Sequence, residues 1–228
     1  MRVLYLVPAR KGSKGLPGKN TKPLNGIPLV AYTLRFALEN IQPGDEICVS
    51  TDDEEVIAIA EDLGIKVPFV RPAHLSSDTA GSYEVIMHSL NEYAGTGKQF
   101  DAVLLLQPTS PFRSAEDLQK VFAEFDVDCD MVVTVKEAKE NPYFSLFEED
   151  EEGLLVKSKA GNFERRQDCP LVYAYNGSMY LMSTVALAGQ STLAFNKIKK
   201  VLMPPERSLD IDTMADWVLA EYYAEQVK

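Results

Sequence analysis

Val3-Leu4-Tyr5-Leu6-Val7-Pro8-Ala9-Arg10-Lys11-Gly12-Ser13-Lys14-Gly15-Leu16-Pro17-Gly18-Lys19-Asn20 is the stretch on which the fold turns. Its first five residues are apolar without alternation and include β-branched valines, the pattern of a strand buried on both faces. The chain then changes character at once. From Arg10 to Gly26 it holds four Gly, two Pro and five Lys or Arg, a composition that predicts a long loop. A buried strand running into a basic, glycine-rich loop reads as the opening of an α/β sheet. In such sheets ligands bind beyond the carboxyl ends of the strands.

The same rhythm continues outward. Pro28 opens a helical pattern carried by Leu29, Tyr32, Leu34, Phe36 and Leu38. Strands are expected at Glu46–Thr51, Val67–Val70, Ala102–Leu106 and Met131–Val135. Helices are expected at Glu54–Leu63, Ser82–Tyr93 and Asp117–Phe125, the first of them stopped by Gly64. Continuous apolar strands alternating with helices predict a mostly parallel, doubly wound, Rossmann-like sheet with helices on both faces. Between residues 137 and 178 the rhythm breaks at Asn141-Pro142, the acid run Glu148–Glu152, Gly153 and Gly161. This segment reads as an inserted β-arm whose acid run is a solvated hairpin tip. Strands Gly177–Met182 and Ile198–Met203 and a helix Asp212–Gln226 then return the chain to one domain spanning residues 1–228.

Composition narrows the function. The net charge of −11 argues against nucleic-acid binding through a basic surface. Yet residues 1–38 contain no acid and carry Arg2, Arg10, Lys11, Lys14, Lys19, Lys22 and Arg35, so a small anionic ligand is expected at that end. No stretch approaches the ~18 apolar residues of a membrane span, and no partner membrane is expected. The three cysteines, Cys48, Cys129 and Cys169, form no CxxC pair and read as buried free thiols in a reducing cytoplasm.

In the basic loop, glycines let backbone N–H groups approach phosphate oxygens while Arg and Lys supply countercharge. It is not a Walker loop: five residues separate Gly12 from Gly18-Lys19, and Asn20 stands where a Ser or Thr would hold Mg²⁺. The spacing of Gly12, Gly15 and Gly18 also misses G-x-G-x-x-G. Composition alone leaves open a mobile surface loop. Near the other end, Asp210 and Asp212 alternate, so both carboxylates of an extended segment project to one face and can share one Mg²⁺. A surface pair opening a helix, with Asp212 as its cap, is the alternative.

ARKGSKGLPGKN (residues 9–20) closely resembles the signature of the acylneuraminate cytidylyltransferases, the CMP-sialic acid synthetases. STDD (Ser50–Asp53), RPAHLSSDTAGS (Arg71–Ser82), LLQPTSPFR (Leu105–Arg113) and SLDIDT (Ser208–Thr213) match in order, with weaker ERRQD (Glu164–Asp168) and NGSMY (Asn176–Tyr180). The resemblance implies a Mg²⁺-dependent transfer from CTP to an acidic nine-carbon keto sugar in a homodimer joined through the arm. Ala9, Arg10, Gly12, Ser13, Lys14 and Lys19 would surround the triphosphate, with Arg10 and Lys19 catalytic. Asn20, Arg71, Ala80 and Ser82 would surround the cytosine, and Gln107, Arg166 and Tyr180 the sugar, Arg166 in the neighbouring subunit's site. Asp210 and Asp212 would be the metal pair. His74 and His88 read as structural.

Two departures concern the sugar. Relatives of that family often carry a Lys shortly after the Pro of the 140s, where this chain has Pro142-Tyr143-Phe144. They also often carry Arg-Pro before Asn-Gly, where it has Ala174-Tyr175-Asn176-Gly177. A pocket less polar toward the sugar's substituents is therefore expected, favouring a deaminated or legionaminic-type acid. The rival readings are an octulosonate cytidylyltransferase and a non-catalytic nucleotide-binding regulator.

Overall fold

The computed structural model describes residues 1–12 and 15–226. In chain order the regular elements are β1 (Val3–Pro8), β2 (Pro23–Leu24), β3 (Ile27–Pro28), α1 (Leu29–Asn40), β4 (Glu46–Ser50), α2 (Glu54–Asp62), α3 (Ser82–Gly95) and β5 (Ala102–Leu106). There follow α4 (Ala115–Glu124), β6 (Met131–Glu137), β7 (Phe147–Glu149), β8 (Leu155–Lys157), β9 (Tyr173–Ser183), α5 (Thr184–Gly189), β10 (Ile198–Leu202) and α6 (Met214–Gln226).

Six strands form one sheet in the order β10-β6-β9-β5-β1-β4. Pairs β1–β4, β1–β5 and β6–β10 are parallel, while β9 runs antiparallel between β5 and β6. The mostly parallel, doubly wound expectation holds. Val3, Tyr5 and Val7 of β1 pack with α1, α2 and α4 on one face, and Leu4 and Leu6 pack with α3 and α5 on the other. That is why the strand tolerates no polar residue. A third cluster, Leu16, Leu24, Leu29, Ile211 and Trp217, seats α6 against the basic loop.

Several boundaries differ from the sequence reading. Val67–Val70 forms no strand: β4 is the sheet edge, and Pro68 lacks the donor a further strand needs. Helix α4 starts at Ala115 because Ser114 and Asp117 close a capping box. At α6 the cap is Thr213, whose Oγ1 accepts from Asp216 N–H at 3.3 Å while the Asp216 carboxylate accepts from Thr213 N–H at 2.7 Å. Asp212 is therefore not the cap. Cys48 and Cys129 are buried free thiols, but Cys169 is only half-buried.

Between β6 and β9 the chain leaves the sheet and forms the β7–β8 hairpin, its acidic residues at the exposed turn. No helix among the described residues is long and apolar enough to cross a membrane.

Candidate active site

The strand order reverses at β1: α1 leads from β1 to β4 on one side, and α2 and α3 then lead back to β5 on the other. A crevice opens at such a switch point, beyond the carboxyl ends of the strands. A cleft of about 400 Å³ lies there, lined by Pro8 at the end of β1 and by Leu105 and Gln107 at the end of β5. Arg10, Gly15, Lys19, Asn20, Arg71, Ala80, Ser82 and Asp212 complete its functional lining. Residues from both ends of the chain thus meet in one cavity.

The basic loop is tied down from three sides. Ala9 N–H donates to Ser50 O at 3.0 Å, and Thr51 Oγ1 donates to Ala9 O. Lys11 N–H donates to Asp52 Oδ1 at 2.7 Å, while Asp53 caps α2. The STDD segment is a bracket for the loop, a role its sequence alone did not reveal. Arg10 donates to Gly12 O at 3.0 Å and pairs with Asp78 at 2.5 Å. Ala9 and Gly12 shape the loop rather than line the cleft; Ser13 and Lys14 lie outside the described residues.

Lys19 is buried and donates to Ile211 O at 2.6 Å and to Asp212 Oδ1 at 3.0 Å. Beside it, a Cβ on Gly15 would stand 2.2 Å from Asp212 O, so only glycine lets the loop lie against this segment. Gly15→Ala must separate loop and carboxylate segment by an ångström or more. A loss of about 10²-fold in turnover with a native far-UV spectrum is expected. Wild-type turnover in that variant would show that this contact is not needed.

Arg71 is buried, with Nε donating to Ser50 Oγ at 3.0 Å and Nη2 to Ser50 O. Burial pushes its guanidinium down to about 10, against the pull of Asp52. Asn20 is oriented by its bond to Arg10 O at 3.1 Å.

Asp210 is half-buried; its Oδ1 is buried and forms no hydrogen bond of ordinary geometry among the described residues, although the Thr109 hydroxyl stands close enough to the carboxylate to favour its charged form. Burial raises its carboxyl above the ordinary range, and the charge of Asp212 adds to that. A Cβ on Gly177, where φ is +74°, would come within 3.0 Å of Asp210 Oδ2. Neighbouring Asn176 is a buried hub: it accepts from Thr134 Oγ1 at 2.7 Å and donates to Ser208 Oγ at 3.0 Å. The segment before Asp210 is further pinned by Arg207, which grips buried Asp117 with bonds of 2.8 and 2.9 Å. No group of three or more His, Cys, Asp or Glu forms a metal cage among the described residues. A buried carboxylate oxygen without a well-formed hydrogen bond, close to a second carboxylate, nevertheless suits Mg²⁺, which takes one or two protein carboxylates and completes its shell with phosphates and water.

Gln107 is held by Arg113, a buried guanidinium that donates to Gln107 O at 2.6 Å and Thr33 Oγ1 at 2.8 Å. Burial without an acid partner pushes Arg113 down to about 9. Tyr180 stands between Leu105 and Val133, and burial, followed by the charge of Asp210, pushes its phenol up to about 12. Arg166 is different. It donates to Lys139 O and lines a separate recess of the arm with Asn141 and Cys169, so its own chain does not bring it to the cleft.

A crevice so placed and so lined defines a nucleotide-binding α/β domain of the nucleotidyltransferase kind. The sequence profile of the cytidylyltransferases matches residues 4–209, and the chain belongs to that family. It is 35% identical to the CMP-N,N'-diacetyllegionaminic acid synthase of Legionella pneumophila, over 99% of this chain and 97% of that protein. It is 31% identical to the N-acylneuraminate cytidylyltransferase of Streptococcus agalactiae, over 96% of this chain and 52% of that protein. The resemblance read from the ordered motifs is therefore borne out. The fold is also similar to CMP:2-keto-3-deoxy-manno-octonic acid synthetase complexed with CTP, with a TM-score of 0.71 and 17% identity over 99% of both chains.

Proposed function

We propose that this chain transfers the cytidylyl group of CTP to the anomeric hydroxyl of an acidic nine-carbon keto sugar. The observation that carries the reading is the convergence of the basic loop, Arg71 and Asp212 on one cleft at the β1–β5 switch point, with Asp210 standing against Thr109 of its wall. The hydroxyl oxygen attacks the α-phosphorus, the α–β phosphoanhydride bond breaks, and pyrophosphate leaves as the hydroxyl proton is lost. Such transfers depend mainly on positioning and on stabilising charge on the phosphate oxygens. Arg10, Lys14 and Lys19 supply cations for the triphosphate, and Arg10 exchanges Asp78 for phosphate. Asn20, Arg71, Ala80 and Ser82 enclose the base. Gln107 and Tyr180 face the acceptor, and Arg166 serves the site of a second copy. Asp210 and Asp212 would hold Mg²⁺, which supplies countercharge to the phosphates when bound.

The arm supports a homodimer: Phe147, Leu155 and Val156 of the hairpin are all exposed, an apolar surface suited to a second copy. A legionaminic-type acceptor fits the departures at Phe144 and Ala174 and the 35% relative. A cytoplasmic location fits the free thiols. The test is CTP with Mg²⁺ and a panel of nonulosonic and octulosonic acids, products identified by mass. A CMP-nonulosonate that forms with Mg²⁺ and not with excess chelator is the expected result. CMP-octulosonate alone, or no product with any acid, would overturn the reading.

A further inference from the structure

We propose that Trp217 is a positioning residue for the triphosphate: its indole fixes the basic loop on both sides of Lys19 and against the Asp210–Asp212 segment. This rests on the proposed cytidylyl transfer, which gives Lys19 to the phosphates. Trp217 is the only tryptophan of the chain and is almost wholly buried. Of the buried residues of α6, Trp217, Ala220 and Ala224, it alone is large, so this ring is what seats the helix.

The ring is held before it meets the loop. Trp217 N–H donates to Thr213 O at 3.0 Å, and the indole Nε1 donates to Glu221 Oε1 at 3.0 Å. With its one polar atom satisfied, the indole has its face left for other contacts. Lys22 places Nζ 4.4 Å from the ring centroid, a cation resting on that face. Leu16 lies in the same buried cluster as Trp217. Leu16 and Lys22 stand three residues before and three after Lys19, so both flanks of that cation are tied to the surroundings of one ring. Each flank is also closed by a turn. Lys19 N–H donates to Leu16 O at 3.1 Å, and Lys22 N–H donates to Gly18 O at 2.9 Å.

The cluster reaches the carboxylates as well. Ile211 stands between Asp210 and Asp212 in the chain and is fully buried in the cluster of Leu16 and Trp217. Its carbonyl accepts from Lys19 Nζ at 2.6 Å, and its N–H donates to Thr109 O at 2.9 Å. One packed unit thus sets the distance between the loop's buried cation and the segment that carries the proposed metal ligands. A buried ammonium cannot search for a phosphate by swinging its side chain, so the backbone beneath it must already be placed.

The experiment compares wild type with Trp217→Leu, Trp217→Phe and Lys22→Gln, each with a circular dichroism melt. Calorimetry gives Kd for CTP and for inorganic pyrophosphate with Mg²⁺, and steady-state kinetics gives KM for the keto acid. Trp217→Leu should bind CTP and pyrophosphate roughly 10-fold more weakly, with the keto-acid KM within about twofold, as one charge-assisted bond loses its alignment. Trp217→Phe, which keeps a smaller ring, should fall between. Lys22→Gln should weaken both ligands about threefold with little change in melting. Combined with Trp217→Leu its loss should not add, because both act through the ring. Should Trp217→Leu fail to fold, Trp217→Phe takes its place in that comparison. Lowered melting with unchanged affinities, an equal rise in the keto-acid KM, or fully additive losses would overturn the assignment and leave the transfer standing. A wild type that binds CTP and makes no CMP-sugar overturns the transfer alone, since both Kd values are read without turnover.

Discussion

Asp210→Asn is expected to lower CTP turnover about 10³-fold, the scale of losing a group that stabilises charge in the transition state. The same change should leave the protein at least as stable as wild type at neutral pH. Burial raises the Asp210 carboxyl above its ordinary range, so the folded chain binds that proton more tightly than the unfolded chain. For a raised carboxyl, the stabilising contribution is present below the unfolded pKa and is lost as pH rises through the folded one. At pH 7 the buried charge, which Thr109 offsets only in part, is thus a cost that an uncharged amide removes. Melting curves at pH 7 should place the variant at or above wild type. The gap should narrow in acid, where wild-type Asp210 takes up its proton. Asp212→Asn differs: its side chain is 70% exposed and pairs with Lys19, so turnover should fall with little change in melting. Near-normal turnover of both variants at limiting Mg²⁺ would remove the metal assignment.

CTP should be preferred over UTP by roughly 10⁴-fold in kcat/KM, as a polar site that leaves its groups unmatched rejects the wrong ligand. An arginine side chain only donates hydrogen bonds, and cytosine presents acceptors at O2 and N3, whereas uracil N3 carries a hydrogen. Arg71 is fixed by two bonds to Ser50, so it cannot turn away from a mismatched donor without breaking buried contacts. Ala80 and Ser82, at the start of α3, line the same cleft and offer backbone groups for the other edge of the base. Steady-state kinetics with both nucleotides at equal Mg²⁺ decide the matter. Similar kcat/KM values would show that Arg71 does not read the base.

Much of the fold was legible because its signals are local. The run Val3–Val7 predicted a doubly covered strand, and all five residues are buried. Ala102–Leu106 was legible to the residue, because an unbroken apolar run between polar loops leaves little freedom. Asn25-Gly26 was a missed local signal: both residues have positive φ and join β2 to β3, the turn chemistry such a dipeptide favours. Val67–Val70 was misread because β-branched residues suit a strand only where a neighbour strand exists to pair with.

The sequence by itself determined the alternation of strands and helices, the basic loop after the first strand, and the two alternating carboxylates near the end. Each depends on periodicity or composition within a few residues. Only the tertiary structure decided what stands beside them. Lys19 reaches Asp212 from 193 positions away, Asp117 grips Arg207 from 90, and Thr134 meets Asn176 from 42. Lys136 faces Ala174 solely because β9 inserts antiparallel beside β6 in this register, and Arg166 is carried off the cleft by the arm. Such neighbours follow from strand order and register, which are set by burying the whole sheet at once, and no window of local sequence encodes them.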